Sequence, residues 1–407
     1  MTLFWSIFRY LILISKMDEE RRIEPMTMEP VTVDYPWGSE TYNLADLGSV
    51  DSEVKGGWMD GNTIGEIMET YLERIVGDHV YYFYGRQFPV MVKIIRTKGR
   101  MPLTVCPDDL IASERYDALG KRKLWYIAEA GQGSTVCIGL SKEMTASEFY
   151  VACNNGSIAP MLNTIVPRKG DIFMIEPGTV HCASPGVKII EIAESSPLDF
   201  SLVQWDESGK ADTDLDLAEA LDFINLSPDA HICHCHDHGE ECHCHDKKEE
   251  CDCDKADCRV TDNPDEQVYK VADESEFIVT RINLRDPVGI KTEELESFAV
   301  YTCIEGGATV QVPSKEDSGR MKLYPLTKDS TVLVPADCQE FFLVPSSKDT
   351  VLLEAIVRRE DVQDGYIDPN AEARIEGEDY SGEEDLDDRI DWELEQRRLH
   401  GDGKPLN

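Results

Sequence analysis

The sequence predicts a mainly β chain with some α-helix, built as an antiparallel barrel or sandwich plus a smaller second β domain. The first observation is the stretch 169–191, in which the apolar runs Ile172–Ile175 and Val187–Ile190 are separated by Pro-Gly turns. The second is a series of short apolar runs between residues 277 and 357. Short strands punctuated by Gly and Pro are typical of antiparallel sheets.

The elements of the first domain follow in order along the chain. Residues 31–57 are polar and are interpreted as loop and short strand. Apolar residues spaced for one helical face predict a helix at Asn62–Val76. Further helices are expected at Leu110–Leu119, Thr145–Asn154 and Leu215–Ile224. The remaining predicted strands are Phe88–Ile95, Leu103–Val105, Lys123–Glu129, Ser134–Leu140 and Phe200–Trp205.

The second domain is expected to be all β. Its predicted strands are Phe277–Leu284, Ser297–Ile304, Ala308–Val312, Ser330–Pro335, Glu340–Val344 and Thr350–Val357. A weak internal repeat relates Lys169–His181 to Lys328–Glu340, because both read as strand, turn and strand over equal length. Glu340 falls where His181 stands, and the second copy lacks evident ligand partners. The second domain is therefore interpreted as structural.

Length and charge limit the organisation of the chain. Its 407 residues are typical of two to three domains, and a formal net charge of −39 argues against nucleic acid or an anionic membrane as a partner. The apolar residues 2–14 are too short for a spanning helix and lack signal-peptide features, so the normal sequence is taken to open at Met17. The expected segments are an extension at 1–30, domains at 31–226 and 266–357, an insert at 227–265 and a disordered acidic tail at 358–407.

The insert is rich in cysteine and histidine and repeats every nine residues. Thiolate and imidazole form a soft, polydentate donor set, and few apolar residues are present to build a zinc-finger core. A flexible metal-binding loop is therefore expected, and the alternative is a solvated loop with incidental Cys and His. Abundant thiols also indicate a reducing, cytoplasmic location. The candidate ligands are His231, Cys233, His234, Cys235, His236, His238, Cys242, His243, Cys244, His245, Cys251, Cys253 and Cys258.

His181 is the candidate ligand in the first domain. It directly follows the Pro177-Gly178 turn, where a side chain can point into the mouth of a barrel. The alternative is a hydrogen-bonded core histidine that binds no metal.

Five motifs together resemble type I mannose-6-phosphate isomerases, a cupin family. FPVMVKII, TVCPDD, GKRKLWYI, KGDIFMIEPGTVH and IIEI occur in order, and the likeness covers about residues 31–226 well and 270–356 loosely. The resemblance implies a cupin (jelly-roll) barrel with a bicupin-like second domain. It also implies a zinc ion that polarises the carbonyl while mannose 6-phosphate and fructose 6-phosphate interconvert.

The residues at the family's metal positions differ from its pattern. Of the four ligands that the resemblance implies, only His181 is kept; Thr104, Cys106 and Lys123 stand at the other three positions. Cys106 can still serve as a ligand, whereas the charge of Lys123 opposes a divalent ion. Phe200-Ser201 replaces a Tyr-Arg pair whose arginine is thought to serve catalysis. Zinc-dependent isomerase activity is therefore expected to be impaired.

The substrate-binding residues implied by the resemblance are Lys121 and Glu191, and Lys123 is added because the triplet 121–123 is basic. That triplet could hold an anionic sugar phosphate without metal, or it could be a solvated turn. Three functions remain open at this point. They are an isomerase, a catalytically impaired sugar-phosphate-binding homologue, and a metal buffer that acts through the insert with zinc or a similar metal.

Overall fold

The mainly β class is confirmed by the computed structural model, which describes residues 22–205, 211–212, 217–228, 267–292, 295, 297–314 and 319–357. Within those ranges 23 strands form four sheets, and every pairing between them is antiparallel. Two sheets make up each half of the described chain. The second half thus repeats the two-sheet plan of the first, as the bicupin-like arrangement requires.

The first half is a sandwich of two six-stranded sheets. Sheet 1 has the order β10-β7-β12-β5-β3-β2, and sheet 2 has the order β14-β13-β6-β11-β8-β9. Trp125 and Ile189 of sheet 1 pack against Val136, Ile138 and Ala183 of sheet 2, so one apolar core lies between them. The strands of sheet 1 are β2 Val31–Tyr35, β3 Gly38–Leu44, β5 Val90–Thr97, β7 Lys123–Ala130, β10 Ile172–Ile175 and β12 Val187–Glu194. The strands of sheet 2 are β6 Leu103–Val105, β8 Val136–Leu140, β9 Leu162–Ile165, β11 His181–Ala183, β13 Phe200–Trp205 and β14 Ala211–Asp212.

The second half pairs a seven-stranded sheet with a four-stranded one. Sheet 3 has the order β15-β16-β23-β18-β21-β1-β4, and sheet 4 has the order β17-β22-β19-β20. Tyr301 and Leu352 of sheet 3 share an apolar core with Val310 and Phe341 of sheet 4. Sheet 3 contains β1 Met26–Glu29, β4 Glu53–Val54, β15 Val268–Asp273, β16 Ile278–Leu284, β18 Ala299–Glu305, β21 Thr331–Val334 and β23 Thr350–Ile356. Sheet 4 contains β17 Val288–Lys291, β19 Gly307–Pro313, β20 Met321–Thr327 and β22 Glu340–Pro345.

The helices are short and depart from the sequence prediction in three places, the first of which is a helix at Asp78–Tyr84 that was not predicted. The expected helix at Asn62–Val76 is two helices, because Leu72 has a φ of 50° and breaks the helical backbone between them. The helix expected at Leu215–Ile224 is reduced to Leu217–Ala220 in the described residues. The helices are α1 Ile64–Tyr71, α2 Glu73–Val76, α3 Asp78–Tyr84, α4 Asp109–Tyr116, α5 Ala146–Asn154 and α6 Leu217–Ala220, with 3-10 turns at Ala159–Met161 and Ala336–Cys338.

Residues 31–57, interpreted as loop and short strand, contain more strand than their polar sequence indicates. That segment contributes β2 and β3 to sheet 1, where Glu40 and Asn43 are buried polar residues with hydrogen-bond partners. Strands β15, β17 and β20 were also not predicted, and polar residues such as the half-buried Lys322 interrupt their apolar runs.

The internal repeat is visible in the strands. β10 Ile172–Ile175 and β21 Thr331–Val334 occupy the same place in the two copies, and His181 and Glu340 each open the strand that follows. His181 is completely buried, whereas Glu340 is exposed. The second copy therefore repeats the backbone of the first without its buried polar residue.

The described residues all lie in one compact unit. Strand β1, from the segment expected to be an N-terminal extension, pairs with β21 in sheet 3 and is therefore part of the second half. Lys188 in the first half binds Asp329 in the second at 2.6 Å.

In the part of the chain that the structure describes, no helix has both the length and the apolar content needed to cross a membrane. Residues 1–21 and the acidic tail from 358 onward lie outside the described residues.

Candidate functional site

Four chain segments converge on one buried cluster in the first half. Cys106 directly follows β6, Lys123 opens β7, His181 opens β11, and Asp199 directly precedes β13. β6 pairs with β11 on one side and with β13 on the other, through His181 opposite Thr104 and Phe200 opposite Val105. This register brings three strand ends of sheet 2 to one place, and Lys123 reaches it from sheet 1.

Cys106, His181 and Asp199 form a possible metal site. Their ligand atoms all lie within 4.8 Å of one another, and within the described ranges they are the one group of this kind. Cysteine, histidine and carboxylate are all donor types that zinc accepts. Cys106 and His181 were predicted from the sequence, whereas Asp199 was not.

The ammonium group of Lys123 lies inside this group of donors. Its Nζ is 2.5 Å from Asp199 Oδ1 and 3.2 Å from His181 Nε2. Burial lowers the pKa of Lys123, but the carboxylate of Asp199 raises it more, so the pKa lies above its usual value and the side chain is charged. A lysine cation therefore makes the contacts that a metal ion would make with Asp199 and His181.

His181 is a neutral imidazole of defined tautomer. Its Nδ1 lies 2.9 Å from the carbonyl oxygen of Thr179, so Nδ1 carries the proton and donates it. Nε2 is then the acceptor, and it receives the hydrogen bond from Lys123. Burial, together with the charge of Lys123, lowers the pKa of His181 to about 3. The ring is completely buried and packs edge-on against Trp125.

Cys106 is held as a thiol. Its Sγ lies 3.1 Å from Asp199 Oδ1, to which it donates. Burial, together with the negative charge of Asp199, raises the pKa of Cys106 to about 12. Zinc is bound by the thiolate, so metal binding would first have to remove this proton.

The cluster as it stands does not fit a divalent ion. The lone pair of His181 Nε2 is engaged by Lys123, and the Cys106 thiol is protonated. A divalent ion placed ~4 Å from the charge of Lys123 would be repelled by ~8 kcal/mol at an effective dielectric near 20. Cysteine, histidine and carboxylate are donor types that zinc accepts. Zinc binding is opposed because the Cys106 thiol is protonated and because Lys123 lies between the donors.

A second layer of charges surrounds the cluster. Glu191 lies directly opposite Lys93 on β5 and Trp125 on β7. Its Oε2 accepts from the Trp125 indole at 2.7 Å, and its Oε1 is 3.3 Å from Lys93 Nζ without a well-aligned hydrogen bond. Burial opposes ionisation of Glu191, but the charges of Lys123 and Lys93 lower its pKa to about 2. Lys93 also binds Glu40 at 3.0 Å. Glu191 is thus an ionised, completely buried carboxylate.

Lys121 completes the cluster by binding the second oxygen of Asp199, Oδ2. Although burial would raise the pKa of Asp199, the charges of Lys121 and Lys123 hold it well below the usual value. Asp199 is the member that reaches solvent, since its side chain is 30% exposed and those of both lysines are at most 2% exposed.

The cluster is neutral overall, because it holds three lysines and three carboxylates. Those six residues are Lys93, Lys121, Lys123, Glu40, Glu191 and Asp199.

The structure brings together every site residue predicted in the first domain. Lys121 and Lys123 are buried, so the alternative of a solvated turn is wrong. Arg122, the middle residue of the triplet, points away and binds Glu176 at 2.7 Å and Glu276 at 2.5 Å. The thirteen candidate ligands of the insert, His231 to Cys258, lie outside the described residues.

Lys93, Glu40 and Asp199 belong to the cluster and were missed. Lys93 offered a signal, because a lysine inside the apolar run Phe88–Ile95 has to be buried with a counter-charge. Asp199 offered none, since it precedes β13 by a single residue and belongs to no motif.

Sequence comparison finds relatives over parts of the chain. Two Bacillus subtilis relatives, YvyI and GmuF, carry mannose-6-phosphate isomerase as a provisional name; they are 26% identical over 178 residues and 25% identical over 223. These matches cover 43% and 50% of this chain, and 54% and 69% of the relatives. The mannose-6-phosphate isomerase of Streptococcus mutans is 25% identical over 147 residues, 35% of this chain and 46% of that protein. The chain thus spans about half the length of two of these relatives. No family model matches it.

Solved structures match more of the chain. Mannose 6-phosphate isomerase from Bacillus subtilis superposes with a TM-score of 0.63 at 19% identity, over 82% of this chain and all of that one. A phosphomannose isomerase variant from Salmonella typhimurium gives 0.60 at 11%, over 82% and 100%. A mannose 6-phosphate isomerase bound with zinc and yttrium also gives 0.60 at 11%, over 83% and 100%. The chain is therefore similar in sequence to proteins named mannose-6-phosphate isomerase, and it shares its fold with solved mannose 6-phosphate isomerases.

Proposed function

We propose that this chain is a homologue of mannose-6-phosphate isomerases that binds a sugar phosphate in its first barrel and has lost zinc-dependent isomerase activity. The observation that carries the proposal is the position of Lys123 Nζ between Asp199 Oδ1 and His181 Nε2. A charged lysine there supplies internally the cation that the family's zinc would supply. It cannot act as a Lewis acid, because an ammonium has no vacant orbital to accept a carbonyl oxygen.

The acid–base properties of the cluster also support a loss of this activity. Moving a proton between C1 and C2 of a sugar phosphate needs a group whose pKa lies near neutral pH. The pKa of His181 is lowered to about 3 by burial and Lys123, and that of Glu191 is lowered to about 2 by nearby lysines that outweigh its burial. The pKa of Cys106 is raised to about 12 by burial and Asp199. None of these three groups exchanges protons efficiently at neutral pH.

Binding of a sugar phosphate would begin at Asp199. This carboxylate is the partly exposed member of the cluster and lies on the loop between β12 and β13. It already neutralises Lys121 and Lys123, so an incoming phosphate would replace it as their counter-ion. Two buried lysines beside a partly exposed carboxylate suit the exchange of one anion for another. Asp199 therefore acts as the internal competitor of the ligand.

Activity and metal content measured on one sample test the loss of isomerase activity. The full chain is assayed for fructose 6-phosphate formation from mannose 6-phosphate through a coupled enzyme, with and without added Zn²⁺. We expect no zinc-dependent turnover. Turnover that rises with zinc and is abolished by His181→Ala would reject the proposal and restore the isomerase function.

A second function, metal binding, is supported by the sequence of the insert. Residues 231–258 contain seven of the chain's thirteen cysteines and six of its nine histidines. These donors need no folded scaffold, and their acidic neighbours raise the local cation concentration. We propose that zinc, or another soft or borderline divalent metal, binds mainly there, so that the chain can buffer metal.

A reducing, cytoplasmic location is part of the same proposal. Thiols in the insert can bind metal only while they are reduced. The six cysteines in the described ranges are free and buried, which is consistent with such a compartment.

A further inference from the structure

Cys137 and Cys182 lie directly opposite each other on neighbouring strands of sheet 2. They are register partners between β8 and β11, so their side chains leave the sheet on the same face. Both belong to the apolar cluster on the side of sheet 2 that packs against α5. His181 precedes Cys182 in the chain and therefore points to the opposite face. The cysteine pair is thus separate from the lysine cluster.

The spacing of the two backbones suits a disulfide. Ser184 N donates to Thr135 O, and Gly139 N donates to Val180 O, so both of these residue pairs are hydrogen-bonded. Hydrogen-bonded and non-hydrogen-bonded pairs alternate along an antiparallel ladder. The pair Cys182–Cys137 lies two residues from each of them and is therefore also of the hydrogen-bonded type. Such pairs have Cα atoms about 5.5 Å apart, and disulfides span Cα separations of about 4.4–6.8 Å. The Cα separation expected for this pair therefore lies within the range that a disulfide spans.

The surroundings favour Cys137 as the attacking thiol. Its Sγ is 3.5 Å from the hydroxyl of Thr164, an exposed residue on the edge strand β9, and Cys137 itself is 5% exposed. A hydrogen bond with Cys182, together with smaller contributions from Thr164 and the Arg100 guanidinium, outweighs burial and lowers the pKa of Cys137 to about 6. Arg100 is held in place by stacking on Trp205 at 3.7 Å. A thiolate beside a fixed cation is typical of reactive cysteines.

We propose that Cys137 and Cys182 are a reversible redox pair that is oxidised to a cross-strand disulfide by a small anionic disulfide of the glutathione class. The Cys137 thiolate attacks one sulfur of the small disulfide and releases the other half as a thiol. Cys182 then loses its proton and attacks Cys137, and the second half leaves as a thiol. The protein gives up two electrons and two protons, and the small disulfide is reduced to two thiols. The new bond ties β11, which carries His181, to β8.

Peptide mapping of the full chain tests the proposal. The reduced protein is incubated with oxidised glutathione, its remaining thiols are alkylated after denaturation, and it is digested without reductant. We expect a linked peptide containing Cys137 and Cys182 that disappears on treatment with dithiothreitol. It should be absent from Cys137→Ala and Cys182→Ala. It should persist in Cys153→Ala, which removes a buried thiol from the same apolar cluster.

Thermal unfolding provides a second readout. Oxidation should raise the unfolding midpoint of the parent and of Cys153→Ala, and it should leave that of Cys137→Ala unchanged. The proposal is overturned if Cys137 and Cys182 of the folded parent remain fully alkylatable while other cysteines of the chain have reacted. It is also overturned if they are found only in disulfides with other cysteines. Mapping of the parent alone decides the matter if a variant fails to fold.

Discussion

The Nζ atom of Lys123 lies 3.2 Å from Nε2 of His181. The imidazole lone pair therefore accepts a hydrogen bond from the ammonium group and is not available to coordinate a metal ion. The same ammonium binds Asp199, which also accepts from Cys106 and Lys121. One lysine thereby converts a possible metal site into a closed network of hydrogen bonds and ion pairs. The stability, ligand binding and metal content of the protein should all reflect the presence of Lys123 among the donors of this site.

Asp199→Asn should destabilise the fold, because it leaves Lys121 and Lys123 buried without a full counter-charge. Breaking a buried ion pair costs 3–5 kcal/mol as a rule, and the 30% exposure of Asp199 reduces this to ~2–3 kcal/mol. Urea unfolding at neutral pH measures the loss. The matched control is Asp222→Asn, which breaks the exposed pair with Arg115 and should cost less than ~1 kcal/mol. Equal losses for the two variants would contradict the account.

His181 should make the protein less stable as the pH falls below neutral. Its folded-state pKa is lowered to about 3 by burial and the charge of Lys123, whereas the unfolded value is about 6.5. The unfolded chain therefore takes up the proton first, and stability is lost progressively from about pH 6.5 toward pH 3. Between pH 7 and pH 5 this residue should account for ~2 kcal/mol. Urea unfolding of the parent and of His181→Asn should show that the variant loses ~2 kcal/mol less over this interval. Identical losses would mean that His181 is not held neutral.

Lys121→Ala and Asp199→Asn should change sugar-phosphate binding in opposite directions. Removing Lys121 takes away a cation for the phosphate, whereas removing the Asp199 charge takes away its internal competitor. The rise in unfolding midpoint caused by mannose 6-phosphate should therefore shrink in the first variant and grow in the second. Lys169→Ala, which removes an exposed lysine paired with Glu305, is the control and should match the parent. If Lys121→Ala and the parent are stabilised equally, the phosphate does not bind at this cluster.

Deleting residues 231–258 should remove most of the metal that the full chain binds. The insert offers thirteen donors, and at about four ligands per zinc they could hold two to three ions. Thiols must ionise to bind, so affinity should fall below neutral pH. Elemental analysis after equilibrium dialysis against Zn²⁺ measures both effects. His181→Ala should alter the total little, and retention of full zinc by the deleted chain would refute the assignment to the insert.

Strands whose signal is local could be predicted from the sequence, whereas features that depend on a partner distant in the chain could not. The strands Leu103–Val105, Ile172–Ile175 and Phe200–Trp205 have the predicted bounds, because each is a compact apolar run between turn residues. The break at Leu72 was invisible, because it interrupts a continuous apolar periodicity without a Gly or Pro.

The candidate site shows the same division. Cys106, Lys121, Lys123, His181 and Glu191 could be named from motifs, and the structure brings all five together. The partner of the lysines, Asp199, lies 76 residues from Lys123 in the chain. Only the pairing of β13 with β6 brings it to the cluster, and a single sequence carries no mark of that pairing.

The most direct test of the central claim is zinc binding by the barrel alone, measured in the chain lacking residues 231–258. The account predicts that this protein binds well below one equivalent of zinc. The same deletion carrying Lys123→Glu, which replaces the ammonium by a carboxylate beside Cys106, His181 and Asp199, should bind about one equivalent. One tightly bound zinc in the chain that keeps Lys123, lost on His181→Ala, would contradict the account.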